Sequence, residues 1–305
     1  MHAITRFAPS PTGYLHLGHA YSALMAHDVA AAGGGMCLLR VDDIDAGRCR
    51  PEYDDAMLTD LAWLGLAPAP PHWRQSARLA SYAAALDQLR AMGLVYPCFC
   101  TRADVAASVT APHGPSGALY SGMCRTLAGA QRAARLATGA AHAWRLDMGA
   151  AVAVATATAN NATTATGDAA GPGGALMWHD GAGRAMAATP LAHGDIILAR
   201  RDAPTSYHLS STVDDAAMGI TDVVRGADLL PATSVHRLLQ ALLGLPTPRY
   251  HHHGLIADAT GQRLAKRHDA LSLRAMRAAG ANPAHMIADL RLGKLPDGYR
   301  WLTAP

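Results

Sequence analysis

The 305-residue chain has no long hydrophobic run: no window approaches the ~20 consecutive apolar residues a membrane span requires, and no apolar stretch follows a basic segment at the amino end. A soluble, cytoplasmic protein is expected. There is no strong excess of charge either, with a net charge of +3 and a pI near 8.7. That excludes a generic polyanion binder and requires any nucleic-acid contact to come from a local patch. Cysteine is scarce and odd in number, five in all. Two of them lie one residue apart, which argues against a disulfide framework and for thiols or a metal. What is present is a chain that is 50% hydrophobic, ample for one large or two medium cores.

Residues 5–19 organise the rest. They read as a short apolar strand (Ile4 to Ala8), a turn carrying Pro9, Pro11 and Gly13, and a helix that starts near His16 to His19 and runs to Ala32. Such a junction leaves unpaired backbone N–H groups and the positive helix end facing one point, a phosphate site. His16 and His19 stand beside it, and Gly18 lets a flat ring approach the backbone. Gly33-Gly34-Gly35 ends the helix, and Met36 to Val41 is the continuous apolar run of a buried parallel strand. Asp42-Asp43-Ile44-Asp45 follows at once. Ligands of open parallel sheets sit beyond the carboxyl ends of strands, so these carboxylates face the same crevice. Asp43 and Asp45 read equally well as binding groups and as an acidic turn capping the helix from Pro51 to Leu64.

Further on, Cys98-Phe99-Cys100 and Cys124 supply three thiolates with workable zinc spacing, and on the residues alone His113 is a candidate fourth ligand. Residues 150–174 are almost all Ala, Thr, Val, Gly and Asn, which predicts a flexible insertion or irregular loop. His251-His252-His253 alternate faces in a strand and cannot share one ion. Gly261 to Arg267 carries Arg263, Lys266 and Arg267, on its own a weak signal.

The string Arg-Phe-Ala-Pro-Ser-Pro-Thr-Gly-Tyr-Leu-His-Leu-Gly-His at 6–19 resembles the signature of class I glutamyl-tRNA synthetases. So do Leu-Arg-Val-Asp-Asp-Ile-Asp at 39–45, the segment from Asp195 to Asp215, the block from Thr221 to Leu230, and the lysine loop at 261–267, whose Lys266 and Arg267 would be the mobile cations that nucleotidyl transfer needs over a triphosphate. Three departures stand out: Asp42 for a glutamate that holds the α-amino group, Arg263 for a lysine and Ala265 for a serine. The resemblance implies an α/β fold, a Rossmann-like parallel sheet with an inserted zinc-bearing subdomain and a short helical C-terminal tail. Its parts would be residues 1–97, an insertion at 98–190, a second catalytic half at 191–270 and the tail at 271–305.

It also implies roles. His16, His19 and Lys266 would be catalytic, and His16, Gly18, His19 and Lys266 would hold ATP. Arg6, Phe7, Ala8, Pro9, Ser10, Asp42, Tyr207 and Arg225 would bind glutamate, the two arginines dividing its two carboxylates. His252 would lie in a strand beside the nucleotide. In the short relatives called glutamyl-Q tRNA(Asp) synthetases, Cys-x-Cys and Tyr-x-x-x-Cys bind one zinc, which maps to Cys98, Cys100, Tyr120 and Cys124. The ~40 residues after Arg267 leave no room for an anticodon-binding region, which favours that short group. The expected reaction is activation of L-glutamate by ATP with Mg2+ and transfer to the queuosine base of tRNA(Asp), by a monomer with one structural Zn2+. The alternatives are a minimal glutamyl-tRNA synthetase charging a tRNA 3′ end and a catalytically silent glutamate- or tRNA-binding module.

Overall fold

The computed structural model describes residues 2–68, 70–107, 113–114, 117–161, 171, 174–262, 264 and 272–303. In chain order, β1 (Ile4–Phe7), α1 (Leu17–Ala32), β2 (Met36–Val41), α2 (Pro51–Trp63) and β3 (Trp73–Arg74) make the first half. After α3 (Leu79–Ala91) come β4 (Val95–Cys98), α4 (Arg102–Ala107), the short pair β5 (His113–Gly114) and β6 (Gly117–Ala118), α5 (Gly129–Ala137), β7 (Ala143–Leu146) and α6 (Met148–Asn161). The hairpin β8 (Met177–His179) and β9 (Ala185–Ala187) precedes β10 (Ile197–Ala199), α7 (Tyr207–Ala217), β11 (Asp222–Gly226), α8 (Ala232–Leu243) and β12 (Arg249–His253). Then follow β13 (Ile256–Asp258), α9 (Leu273–Ala278), α10 (Pro283–Arg291) and β14 (Tyr299–Trp301).

β3, β2 and β1 pair in parallel, as do β11 and β12. The two sets meet where Thr221 donates its backbone N–H to the Ile4 carbonyl at 3.0 Å, while the Ile4 N–H donates to the Thr221 hydroxyl at 2.8 Å. The resulting spatial order, β3-β2-β1-β11-β12, reverses direction of growth at β1, and the crevice above that point is where such sheets bind ligands. A helix crosses over within each parallel pair: α1 joins β1 to β2, α2 joins β2 to β3, and α8 joins β11 to β12. At Gly35 a Cβ would fall 1.8 Å from the Ala3 carbonyl oxygen, so only glycine lets the chain turn back beside β1.

A second sheet, β10-β7-β4, is antiparallel and draws its strands from 95–98, 143–146 and 197–199, before, within and after the 98–190 segment. The irregular loop expected at 150–174 is not what its first part forms: Met148–Asn161 is an α-helix, with Ala151 and Ala155 buried in the second core cluster. Alanine is the best helix former, and its small face lets α8 approach closely, so low side-chain bulk here goes with a packed helix. Residues 162–170 lie outside those described.

The tail is not peripheral. Leu273, Met286, Ile287 and Leu290 join Phe7, Leu17 and Leu39 in one core cluster, and β14 pairs antiparallel with β13. Trp301 packs edge-on to Tyr21 of α1 at 4.9 Å, and Arg291 closes on Asp28 at 2.7 and 2.9 Å. No helix among the described residues is long and apolar enough to cross a membrane.

Candidate active site

A cavity of about 550 Å³ opens above the carboxyl ends of β1, β2 and β11. Arg6, Phe7, Ala8, Pro9, Ser10, His16, Gly18, His19, Asp42, Tyr207 and Arg225 all line it, so residues as far apart in sequence as 6 and 225 are brought to one place. Lys266 lies outside the described residues, as do Arg263, Ala265 and Arg267; Leu264, between them, is buried and reaches the cavity wall.

At one end, His16 caps α1 in extended conformation and its backbone N–H donates to Nδ1 of His19 at 3.2 Å. The two rings lie 3.8 Å apart at 43°. This sets the first turn of a sixteen-residue helix, His16, Gly18 and His19, in the cavity wall, with two imidazoles at the positive end of its dipole. Ser272 and Leu273 are tied to the same turn: Leu273 donates its N–H to Leu15 O at 2.7 Å, and His16 forms a bridge with Ser272.

At the other end, Arg225 rises from β11 with 5% exposure. Its guanidinium donates to the Thr233 hydroxyl (2.7 Å), the Tyr207 hydroxyl (3.2 Å), His236 Nδ1 (3.2 Å) and His252 Nε2 (3.4 Å). All four partners are neutral. Burial, and then the neighbouring Arg225 cation, push His252 down to about 3 and His236 well below the usual imidazole range. Among the described residues no carboxylate pairs with Arg225: Asp222 accepts instead from His251 at 2.8 Å. A buried cation held only by neutral groups is a receptor for an anion. His252 therefore sits behind Arg225; the ring of that run which lines the cavity is His253, whose Nε2 meets the Ser22 hydroxyl at 2.8 Å.

Between the ends lies a buried ionic chain. Arg6 donates to Asp215 at 2.9 and 3.3 Å and to the Val224 carbonyl at 3.2 Å. Arg40 donates to Asp215 at 2.6 Å, to both oxygens of Asp42 at 2.6 and 3.3 Å, and to Ser211 at 3.3 Å. Burial pushes the Asp42 carboxyl up, with Arg40 pulling against it; for Asp215 the same burial is outweighed by Arg6 and Arg40, which hold it below the ordinary range. Asp214, fully buried, accepts from Tyr82 and Arg78, each at 2.7 Å. Asp43 does not cap the helix from Pro51; it accepts from the backbone N–H and hydroxyl of Ser76, in the 3-10 turn that leads into α3, at 2.8 and 2.7 Å, and Asp45 accepts from exposed Arg48 at 2.7 Å. Arg40, Ser211 and Asp215 were not singled out from the sequence. The available signal was a charged residue inside an otherwise apolar strand, and paired aspartates inside a helix.

The cysteine cluster lies elsewhere, on the antiparallel sheet. The sulfurs of Cys98, Cys100 and Cys124 lie within 4.8 Å of one another, and Cys100 Sγ is 3.4 Å from both the Tyr120 hydroxyl and Cys124 Sγ. Ligands at about 2.3 Å around a tetrahedral ion are separated by about 3.8 Å, so the four donors fit one metal. Phe99 donates its N–H to Cys124 Sγ at 3.3 Å, and Arg145 stacks over the Tyr120 ring at 4.0 Å, both suited to an anionic donor set. Nothing is described of the His113 side chain.

Fold and cavity together define the catalytic domain of a class I aminoacyl-tRNA synthetase. The family of tRNA synthetases class I (E and Q), catalytic domain, matches residues 2–158 and 173–300. A glutamyl-Q tRNA(Asp) synthetase of Rhodobacter capsulatus is 47% identical over 287 residues, covering 92% of this chain and 97% of that protein. One of Nitratidesulfovibrio vulgaris is 40% identical over 305 residues, covering 96% and 87%. A solved glutamate tRNA ligase from Elizabethkingia meningosepticum, in complex with its amino acid, superposes with a TM-score of 0.67 at 25% identity, covering 88% of this chain and 53% of that one. The chain belongs to the glutamyl-Q tRNA(Asp) synthetase family, and is a ligase-type enzyme.

Proposed function

We propose that the enzyme activates L-glutamate with ATP to glutamyl-adenylate and transfers the glutamyl group to the queuosine base of tRNA(Asp). The observation that carries the reading is Arg225, a buried guanidinium on the cavity wall whose described partners are all neutral. Glutamate brings two carboxylates and one ammonium. Arg225 with Tyr207 takes one carboxylate, Arg6 the second, and Asp42 the ammonium, while Phe7 to Ser10 line the wall between them.

The carboxylate that attacks the α-phosphate is already a nucleophile and needs no general base. Catalysis then consists of positioning and of stabilising charge on the phosphate oxygens by His16, His19, Lys266 and the α1 N-terminus. Bound Mg2+ supplies charge neutralisation on the triphosphate. Pyrophosphate leaves the α-phosphate, and the acyl carbon of the adenylate is then attacked by a hydroxyl of the modified base's cyclopentenediol, which reaches the pocket out of its stack; the ester forms as the acyl–phosphate bond breaks, releasing AMP and the hydroxyl proton. Cys98, Cys100, Tyr120 and Cys124 would hold one Zn2+ with a structural role, since none of them lines the cavity. The same reading makes the enzyme a cytoplasmic monomer.

The test is transfer of labelled glutamate to tRNA(Asp) with and without queuosine, with tRNA(Glu) as control. Label on queuosine-bearing tRNA(Asp) alone is expected. Label on tRNA(Glu) would replace this reading by the minimal synthetase. Absence of label and of ATP–pyrophosphate exchange would leave a silent binding module, with Asp42, Arg263 and Ala265 as the altered positions.

A further inference from the structure

Arg40 is a large charged side chain with no exposure at all, placed at the cavity wall where β2 ends. Against the cost of burial, Asp42 and Asp215 keep it charged, well above the ordinary range. Its nitrogens serve two acids from different halves of the fold. Nε and Nη2 hold both oxygens of Asp42 at 2.6 and 3.3 Å; Nη1 holds Asp215, on α7, at 2.6 Å. Ser211 accepts from Nη2 at 3.3 Å and fixes the plane of the fork.

The two ends of this chain are not equally dependent on Arg40. Asp215 also receives Arg6 through two nitrogens, and Arg6 has a further partner in the Val224 carbonyl, so Arg6 keeps three hydrogen bonds when Arg40 is removed. Both side-chain hydrogen bonds described for Asp42 come from Arg40. Each Asp42 oxygen thereby has one lone pair engaged and one left over, and Asp42 stands in the cavity wall.

We infer that Arg40 is a positioning residue for amino-acid recognition: it aims the Asp42 carboxylate at the substrate's ammonium without binding the substrate itself. The inference rests on the glutamate reading above. It assigns the short side chain of Asp42 a fixed orientation in place of the reach a glutamate would have. A bidentate fork is required, because a single ammonium donor cannot hold both oxygens of Asp42 and also reach Asp215.

The test uses ATP–pyrophosphate exchange in the full-length enzyme, comparing KM for glutamate with the inhibition constant of glutarate, which carries both carboxylates but no ammonium. In Arg40→Gln, KM for glutamate is expected to rise roughly tenfold or more, while KM for ATP, kcat and the glutarate constant stay within about threefold. Arg40→Lys, which keeps the buried charge, is measured alongside as the variant less prone to misfold, and the same loss of preference for glutamate over glutarate is expected. Equal weakening of both ligands, or no change in either, overturns the inference, since a merely structural role would move them together. No glutamate-dependent exchange in the unaltered enzyme overturns the glutamate reading itself, and this one with it.

Discussion

A methyl group on Gly18 would stand 3.1 Å from Cε1 and 3.2 Å from Nδ1 of His16. The imidazole is thus seated directly on the glycine, and its distance from the helix end is set by the lack of a side chain there. Gly18→Ala should move the ring by a few tenths of an ångström. The expected loss is about tenfold to hundredfold in the kcat of ATP–pyrophosphate exchange. The melting temperature should hold, because alanine is favoured over glycine in a helix by up to about 1 kcal/mol. Steady-state exchange and a thermal melt on the same preparation check both halves.

Arg225 is the second target. Arg225→Gln keeps hydrogen-bonding capacity but removes the charge, and should raise KM for glutamate about a hundredfold, two charge-assisted bonds at about 1.5 kcal/mol or more each. Arg225→Lys should recover only part of it, since one ammonium cannot replace a fork held at four points. A lysine variant as active as the parent would show that charge alone is recognised.

The metal reading makes a separate prediction. Cys98→Ser and Cys124→Ser should each lower bound zinc from about one per chain towards zero and reduce the melting temperature by several degrees, in line with loss of a structural metal. KM for glutamate should change little in the fraction that remains folded. Elemental analysis of the purified chain, before and after chelation, gives the stoichiometry.

Acid should destabilise the protein earlier than carboxylate titration explains. Burial, with His193 and Arg225 nearby, holds His208 down at about 4; burial and Arg225 hold His252 at about 3. Unfolded imidazoles titrate near 6.5, so below that pH the unfolded chain takes up protons that the folded one refuses. Stability is fully present above about pH 6.5 and falls as pH drops towards 4 and 3, by at most about 1.4 kcal/mol per pH unit for each ring. Calorimetric melts from pH 7.5 to 5 measure the slope, and His236→Gln, which removes a further low-pKa ring, should flatten it.

The half of the cavity contributed by 6–19 was legible because one stretch carries strand, turn and helix cap together; Arg6, His16, Gly18 and His19 needed only local geometry to be brought into line. Tyr207 and Arg225 were legible as parts of family blocks. What could not be read was pairing. That Arg6 shares Asp215 with Arg40 depends on β1 lying between β2 and β11, a juxtaposition no local pattern encodes. Asp43 was placed in the crevice or on a cap and instead anchors Ser76, since an acidic turn has no preference until its neighbours are known. The helix at 148–161 was missed because alanine carries propensity but little hydrophobic pattern.

The union of Phe7 and Leu39 with Met286, Ile287 and Leu290, together with the β13–β14 ladder, has a consequence for synthesis. Contacts such as Arg291 with Asp28 span 263 positions, a topology of high contact order. On the ribosome, β1 and β2 are made well before α10 and β14, so α1 and α2 can cover them early while the part of the core supplied by α10 and the lock of β14 come much later. Until α10 and β14 follow, the nascent chain keeps part of that apolar surface open, and is a natural client for chaperones that bind such segments.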